Sequence, residues 1–198
     1  MFPGMFILFR EGEPTAPSVD TTANHVSFTV NDYTLYKAKL EAVGASFFYD
    51  DGEAQILADL PDGVRVEIAV DSAQIEPIIF HHTHLSPADA GELRQWYVDV
   101  FGAQVGERRE LPSALIPGGR VDFLPNRNGD PLPTAGTAID HIGFEVEDLD
   151  VFAEKMARMG ITFDREPGCI EAINLCIAFI TDPKGTSIEL TQGLADIQ

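Results

Sequence analysis

The stretch DHIGFEVED at residues 140–148 is predicted to be a strand, and it begins an order of local signals that recurs along the chain. The next stretch, VFAEKMARMG at residues 151–160, is predicted to be a helix that ends at Gly160. The segment closes with strands, predicted for the run INLCIAFI at residues 173–180 and, after a DPKG turn, for the run SIELTQG. This order predicts a βαβββ unit.

The same order occurs twice upstream, and such self-similarity indicates a repeated structural unit. The first copy opens with HVSFTVND at residues 25–32, continues into a helix that ends near Gly44, and closes with three short β-rich runs. The second copy opens with IIFHHTHL at residues 78–85, continues into the helix AGELRQWYVDVFG and ends in the strand GRVDFLP. The fold class is therefore predicted to be α+β, with βαβββ modules in tandem.

The N-terminus resembles a fourth, incomplete copy. Residues 2–28 follow the same pattern as residues 116–144, each with a closing strand, a Pro-rich linker and the next opening strand. Ile7 occupies the position at which the other copies carry an acid. We predict an incomplete N-terminal module over residues 1–75 and a complete two-unit domain over residues 76–198, and the chain begins inside a unit.

Composition excludes several classes of partner. The 13 basic and 32 acidic residues give a formal net charge of −19, which repels nucleic acid and anionic membrane surfaces. No signal peptide is evident, and no apolar run reaches the roughly 20 residues of a membrane span. Cys169 and Cys176 are too few for a disulfide framework, and their separation of seven residues only permits them to face each other across a hairpin. We expect a soluble, cytoplasmic protein in a reducing compartment.

A histidine and an acid recur together in the three units. The opening strands align His25, His82 and His141, and the closing strands align Glu67, Asp122 and Glu189. If the second and third units face each other, four of these side chains meet: His82, Asp122, His141 and Glu189. Imidazole and carboxylate ligands suit a divalent Zn, Ni, Fe or Mn ion, and a partly open coordination shell favours catalysis or chelation.

Other candidate residues leave alternatives open. Asp122 is either a direct ligand, a ligand through a water molecule, or the cap of a turn. His84 shares a strand face with His82, so it is either a proton relay beside the metal or a solvated histidine at a strand end. His25 and Glu67 form a matching half-set that is either completed by a second copy of the chain or purely structural, and we prefer the structural interpretation.

The segments HHTHL, WYVDVFG, DHIGFEVEDLD and FITDPKGTSIEL together resemble the vicinal oxygen chelate superfamily, which includes glyoxalase I, extradiol dioxygenases and antibiotic-resistance proteins. The resemblance implies a curved mixed sheet in a half-barrel, with helices outside and a metal in the cleft. It maps the opening-strand ligands onto His82 and His141 and the closing-strand ligands onto Asp122 and Glu189. The dioxygenase pattern has a Tyr where this chain has Phe179.

We therefore expect a metal-dependent lyase or isomerase of the glyoxalase type that acts on a small oxygenated substrate. The divalent ion would act as a Lewis acid, Glu189 would shuttle a proton and His84 would assist. The alternatives are an Fe(II) extradiol-type dioxygenase and a non-catalytic protein that binds a small molecule. A homodimer is also expected.

Overall fold

The computed structural model describes residues 5–127, 129 and 131–197. Within this range the three predicted βαβββ units are all present, and each is described by its five elements. The first unit contains β1 (Ala23–Val30), α1 (Tyr33–Ala42), β2 (Ser46–Asp50), β3 (Gln55–Asp59) and β4 (Arg65–Val70). The second contains β5 (Ile78–Leu85), α2 (Ala90–Phe101), β6 (Gln104–Arg108), β7 (Leu111–Ile116) and β8 (Gly119–Phe123). The third contains β9 (Ile142–Glu145), α3 (Leu149–Arg158), β10 (Arg165–Ile170), β11 (Leu175–Thr181) and β12 (Ser187–Gln192).

Each helix begins at the same kind of cap, which explains why the units share one local structure. An Asp carboxylate precedes every helix and accepts a hydrogen bond from the backbone N–H three residues later; these residues are Asp32, Asp89 and Asp148. Such a cap satisfies one of the free N–H groups of the first helical turn. Gly44 has a φ of +77°, as predicted for the residue that ends the first helix.

The units pair into two sheets. The first two units form one eight-stranded sheet in the order β2-β3-β4-β1-β5-β8-β7-β6, and the third unit forms a four-stranded sheet in the order β10-β11-β12-β9. The two halves of the larger sheet join where β1 and β5 run antiparallel, whereas the first and last strands of each unit run parallel. The predicted α+β fold with a large curved mixed sheet is confirmed.

The hydrophobic cores group the units differently from the sheets. One core combines the helices and inner strand faces of the second and third units, including Tyr97, Phe123, Met156 and Leu190. The other lies in the first unit, and Ile7 from the N-terminal fragment packs against it. The cores lie mainly on either side of the boundary expected at residue 75, but Ala23 belongs to the core of the second and third units, and Ile78 and Phe80 pack against the core of the first unit. The eight-stranded sheet also crosses that boundary.

Three further expectations can each be compared with one feature of the structure. The closing strand expected at the N-terminus falls partly on residues 1–4, which lie outside the described residues, and residues 6–10 are not in a strand. Cys169 and Cys176 are direct neighbours across the β10–β11 hairpin, which is the geometry that their separation permits, and they are joined as a disulfide, which the expectation of a reducing compartment does not predict. Within the described residues, no helix is both long and apolar enough to cross a membrane.

Candidate metal centre

A compact group of four potential ligands lies where the first two units join. His25, Glu67, His82 and His84 are all buried, and each offers one ligand atom within 4.8 Å of the others. The residues come from β1, β4 and β5, three adjacent strands of the eight-stranded sheet. We call these four residues the His/Glu cluster. Hydrogen-bonded strands position all four side chains, and the β1–β5 pairing is irregular on both sides of this place, between Ala23 and His25 and between Ser27 and Phe28.

The same strand register places a histidine beside an acid in every unit. In each parallel pair of first and last strands, the residue two positions after the opening histidine lies opposite the acid: Ser27 opposite Glu67, His84 opposite Asp122, and Gly143 opposite Glu189. The histidine and acid positions that the sequence aligns among the three units are therefore also equivalent in the structure. The second unit differs from the other two because the position opposite its acid carries an imidazole, that of His84.

Glu67 lies at the centre of the His/Glu cluster. Its Oε2 atom is 3.3 Å from the Nε2 atoms of both His25 and His82, and Gln55 Nε2 donates a hydrogen bond of 2.6 Å to its Oε1 atom. Burial acts to raise the pKa of Glu67, but the hydrogen bonds with His25 and His82 outweigh burial and hold the pKa well below its usual range. The carboxylate is thus ionised at neutral pH, as a metal ligand must be.

The imidazoles of His82 and His84 are suited to metal binding because burial favours their neutral form. Burial lowers the pKa of His82, and it lowers the pKa of His84 to about 3, where the neighbouring His25 adds to the effect. A neutral imidazole keeps a lone pair for a metal ion. The Nδ1 atom of His84 lies 3.1 Å from His25 Nε2.

Two buried polar atoms at this place have no partner in the described part of the chain. They are the Nε2 atom of His84 and the hydroxyl of Ser27, which lies opposite Glu67 in the strand ladder. Buried polar atoms are nearly always hydrogen-bonded, so an unsatisfied one calls for an explanation. A bound ion or its ligands would supply the missing partner, and the residues present fit a divalent metal.

Asp122 is next to the cluster but is held by other residues. Its Oδ1 atom accepts a hydrogen bond from Ser113 Oγ, its Oδ2 atom accepts one from Arg108 Nε, and both distances are 2.5 Å. Burial acts to raise the pKa of Asp122, and these two donors hold it below its usual value. Arg108 also reaches the cluster, with its Nη2 atom 3.0 Å from His82 Nε2 and 3.9 Å from Glu67 Oε2.

The structure brings together only part of the ligand set expected from sequence. His82, His84 and Asp122 lie at the junction of the first two units, with His25 and Glu67 as their neighbours. The other two expected ligands lie in the four-stranded sheet, where His141 Nε2 is 3.4 Å from Glu189 Oε2. Within the described residues, no group of potential ligands joins His82 to either of them. The expected four-residue set is therefore corrected on geometry, while the metal-binding role of each residue stays a prediction.

Strand alternation explains the difference. Asp122 lies between Val121 and Phe123, and Glu189 lies between Ile188 and Leu190; these four neighbours all belong to the core that the second and third units share. Since successive side chains point to opposite faces of a strand, the two acids lie on faces turned away from that shared core. Two units that share a core thus cannot share a site. His25 and Glu67 were assigned a structural role by sequence reasoning, although their repeat positions were the signal for a place in the site.

Comparisons with known proteins agree with this fold. The family model of the Glyoxalase/Bleomycin resistance protein/Dioxygenase superfamily matches residues 79–190. A probable lactoylglutathione lyase from Synechocystis is 30% identical over 121 residues, which are 56% of this chain and 92% of that protein. The lactoylglutathione lyase GLX1 of Arabidopsis thaliana is 25% identical over 123 residues, and the match spans 57% of this chain but only 44% of the plant protein.

A solved structure supports the fold over a longer range. The crystal structure of glyoxalase I from Zea mays superposes with a TM-score of 0.64 at 16% sequence identity. The superposition covers 85% of this chain and 66% of the maize chain. At this identity the likeness describes the fold alone.

Proposed function

The chain belongs to the Glyoxalase/Bleomycin resistance protein/Dioxygenase superfamily, and from this premise we propose that it is a metal-dependent lyase of the glyoxalase type. One observation carries the proposal: four potential ligands lie buried at one place in the sheet, where His84 Nε2 and the neighbouring Ser27 hydroxyl have no partner among the described residues. Relatives named lactoylglutathione lyase support a lyase over the other activities of the superfamily.

The His/Glu cluster would hold the ion through His25, Glu67 and His82, with His84 as a further nitrogen ligand or as the neighbour that orients His25. A set of several imidazoles and one carboxylate suits Zn, Ni, Fe or Mn better than Mg or Ca, which prefer oxygen ligands. When bound, a divalent ion supplies Lewis-acid polarisation of a substrate oxygen.

The chain's own residues would move the proton. Glu67 is the carboxylate of the His/Glu cluster, and the Gln55 amide holds its Oε1 atom in place, so we assign to it the acceptance of a proton from a carbon next to a substrate carbonyl. Glu189, which sequence reasoning chose for this step, lies in the other sheet, paired with His141. The burial of the cluster excludes bulk water, and this strengthens each electrostatic contact made there.

The proposed substrate is a small molecule with vicinal oxygens. The names of the relatives point to the adduct of methylglyoxal and glutathione, and this pair of reagents is the first to be tested.

The test combines metal analysis with turnover. Protein purified without chelator should contain a divalent ion, lose activity on the adduct after chelation, and regain activity when Ni or Zn is restored. Glu67→Gln should lose both the cluster ion and turnover. The matched control is Glu107→Gln, the same change on the exposed side of a nearby strand, which should keep both. Full turnover in Glu67→Gln, or in the chelated protein, would exclude the proposal.

A further inference from the structure

The disulfide between Cys169 and Cys176 closes a small loop at the edge of the four-stranded sheet. The two cysteines are seven residues apart in sequence and lie directly opposite each other in the β10–β11 ladder. The next pair of the same ladder, Ile170 opposite Leu175, lies beside them. Because the ladder holds the two cysteines side by side whether or not they are bonded, the disulfide can open and close without a rearrangement of the hairpin.

The two sulfur atoms differ in their access to solvent. Cys169 is exposed on β10, which is an edge strand of its sheet. Cys176 is half-buried and packs against the core that the second and third units share. In thiol–disulfide exchange, an incoming thiolate attacks one sulfur and the other sulfur leaves. Solvent access therefore favours Cys169 Sγ as the attacked atom and Cys176 Sγ as the leaving atom.

The surroundings of the disulfide are acidic. Two clefts of about 300 Å³ each open beside it, and both are lined by Cys176 and Gln192. Within the described residues, the lining of these clefts includes no basic side chain, whereas five carboxylates line one cleft or the other: Glu145, Glu147, Asp148, Asp150 and Asp196. The whole chain also carries a formal net charge of −19. The field at this place thus repels an anionic reagent and attracts a cationic one.

We propose that the Cys169–Cys176 disulfide is a thiol-exchange site that reacts with cationic low-molecular-weight thiols in preference to anionic ones. The chemical class that it takes is a small aminothiol, whose ammonium group the carboxylates of the clefts attract. Glutathione, a thiol of reducing compartments, carries a net negative charge and is repelled, so its reaction with this bond is slow. The site lies in the other sheet from the His/Glu cluster and does not depend on the proposed lyase activity.

The exchange consumes two molecules of the small thiol. The first thiolate forms a bond to Cys169 Sγ, the disulfide breaks, and Cys176 Sγ leaves with the electron pair and takes up the proton that the small thiol released to water. A second thiolate attacks the sulfur of the bound small thiol, and Cys169 Sγ leaves and is protonated in the same way. The protein disulfide is reduced to a dithiol, and the two small thiols are oxidised to their own disulfide.

The experiment compares three small thiols that differ in charge: cysteamine, a cation; mercaptoethanol, which is neutral; and mercaptoethanesulfonate, an anion. The full chain is first oxidised, and the appearance of protein thiols is followed by alkylation and intact mass. Each rate constant is expressed per thiolate and divided by that of the same thiol with a small uncharged disulfide. The corrected rate for cysteamine should exceed that for mercaptoethanesulfonate by at least about tenfold at low ionic strength, with mercaptoethanol between them. Peptide mapping should place the transient mixed disulfide on Cys169.

Salt and charge variants test the cause of this selectivity. The ratio of the two rates should approach one at about 1 M salt, where charges are screened within about 3 Å. The combined variant Glu147→Gln and Asp150→Asn should lower the ratio at least about twofold, because both carboxylates are exposed and line the clefts. The matched control is Glu107→Gln, an exposed acid in the other sheet, which should keep the ratio.

Several results would overturn the inference. They are a reaction with mercaptoethanesulfonate that is as fast as that with cysteamine, a ratio that salt does not change, and a mixed disulfide on Cys176. A chain whose two thiols cannot be oxidised to an intramolecular bond would overturn it as well.

Discussion

Replacement of His84 by Gln should make the free energy of unfolding of this protein fall less steeply as the pH is lowered. The His84 imidazole is 5% exposed, and burial lowers its pKa from 6.5 to about 3. In the unfolded chain this histidine takes up a proton as the pH falls below about 6.5, whereas in the folded protein it stays neutral. Folding is therefore opposed by protonation of the unfolded state, and stability is lost as the pH falls towards the folded pKa.

The size of the effect follows from the two pKa values. Below the unfolded pKa, each pH unit costs about 1.4 kcal/mol for one proton that only the unfolded state binds. Between about pH 7 and about pH 5, His84 should thus reduce the free energy of unfolding by about 2 kcal/mol. His84→Gln lacks this contribution. Between about pH 7 and about pH 5, its free energy of unfolding should therefore fall by about 2 kcal/mol less than that of the original protein.

The assay is urea denaturation at several pH values in the presence of chelator. His141→Gln is the matched control, because hydrogen bonding to Glu189 raises the pKa of His141 and reverses the sign. The contribution of His141 is present below the unfolded pKa and is lost as the pH rises through the folded pKa, so His141→Gln should lose more stability at low pH. If the stability difference between His84→Gln and the original protein did not change with pH, His84 would not be the buried neutral imidazole described above.

Further predictions concern the charge of the site, metal binding and the backbone. Arg108→Met should tighten the binding of Ni or Zn by at least about tenfold, because it removes a positive charge 3.0 Å from His82 Nε2; competition with a coloured chelator measures this, and weaker binding would contradict it. A divalent ion at a hundredfold excess over its Kd should raise the free energy of unfolding by about 2.7 kcal/mol, and Glu67→Gln should show little of this increase in a thermal melt. Gly193→Ala should cost about 2 kcal/mol or more, because Gly193 has a φ of +91° and an added Cβ would lie 2.2 Å from Asn174 O; an unchanged urea midpoint would argue against this backbone conformation.

The local structure of this protein was predictable because local signals determine it. The alternation of residues in the opening strands, the Asp caps of the helices and the glycine after α1 each depend on residues close in sequence. The register of histidine against acid was equally accessible, because three copies of one unit could be aligned with one another. The order of elements followed from the same signals, but no range was assigned from sequence to β6, β7 or β10, and β11 begins at Leu175 and not at Ile173.

The pairing of units was harder to predict because it depends on contacts between distant segments. Sequence reasoning grouped the second and third units, which do share a core, and assigned the metal site to the same pair. The apolar neighbours of Asp122 and of Glu189 show why this assignment of the metal site was wrong. They pack in the shared core, so both acids lie on the opposite faces of their strands. Arg108 had no local signal, because only the sheet brings it from an edge strand to Asp122.

The most direct test of the account is the position of a bound metal. Crystals of protein reconstituted with Ni or Zn should show an anomalous scattering peak among His25, Glu67 and His82, on the junction of β1 and β5. If the metal-loaded protein showed no peak at this junction, with the three side chains ordered and bonded only to each other, the His/Glu cluster would not be a metal centre.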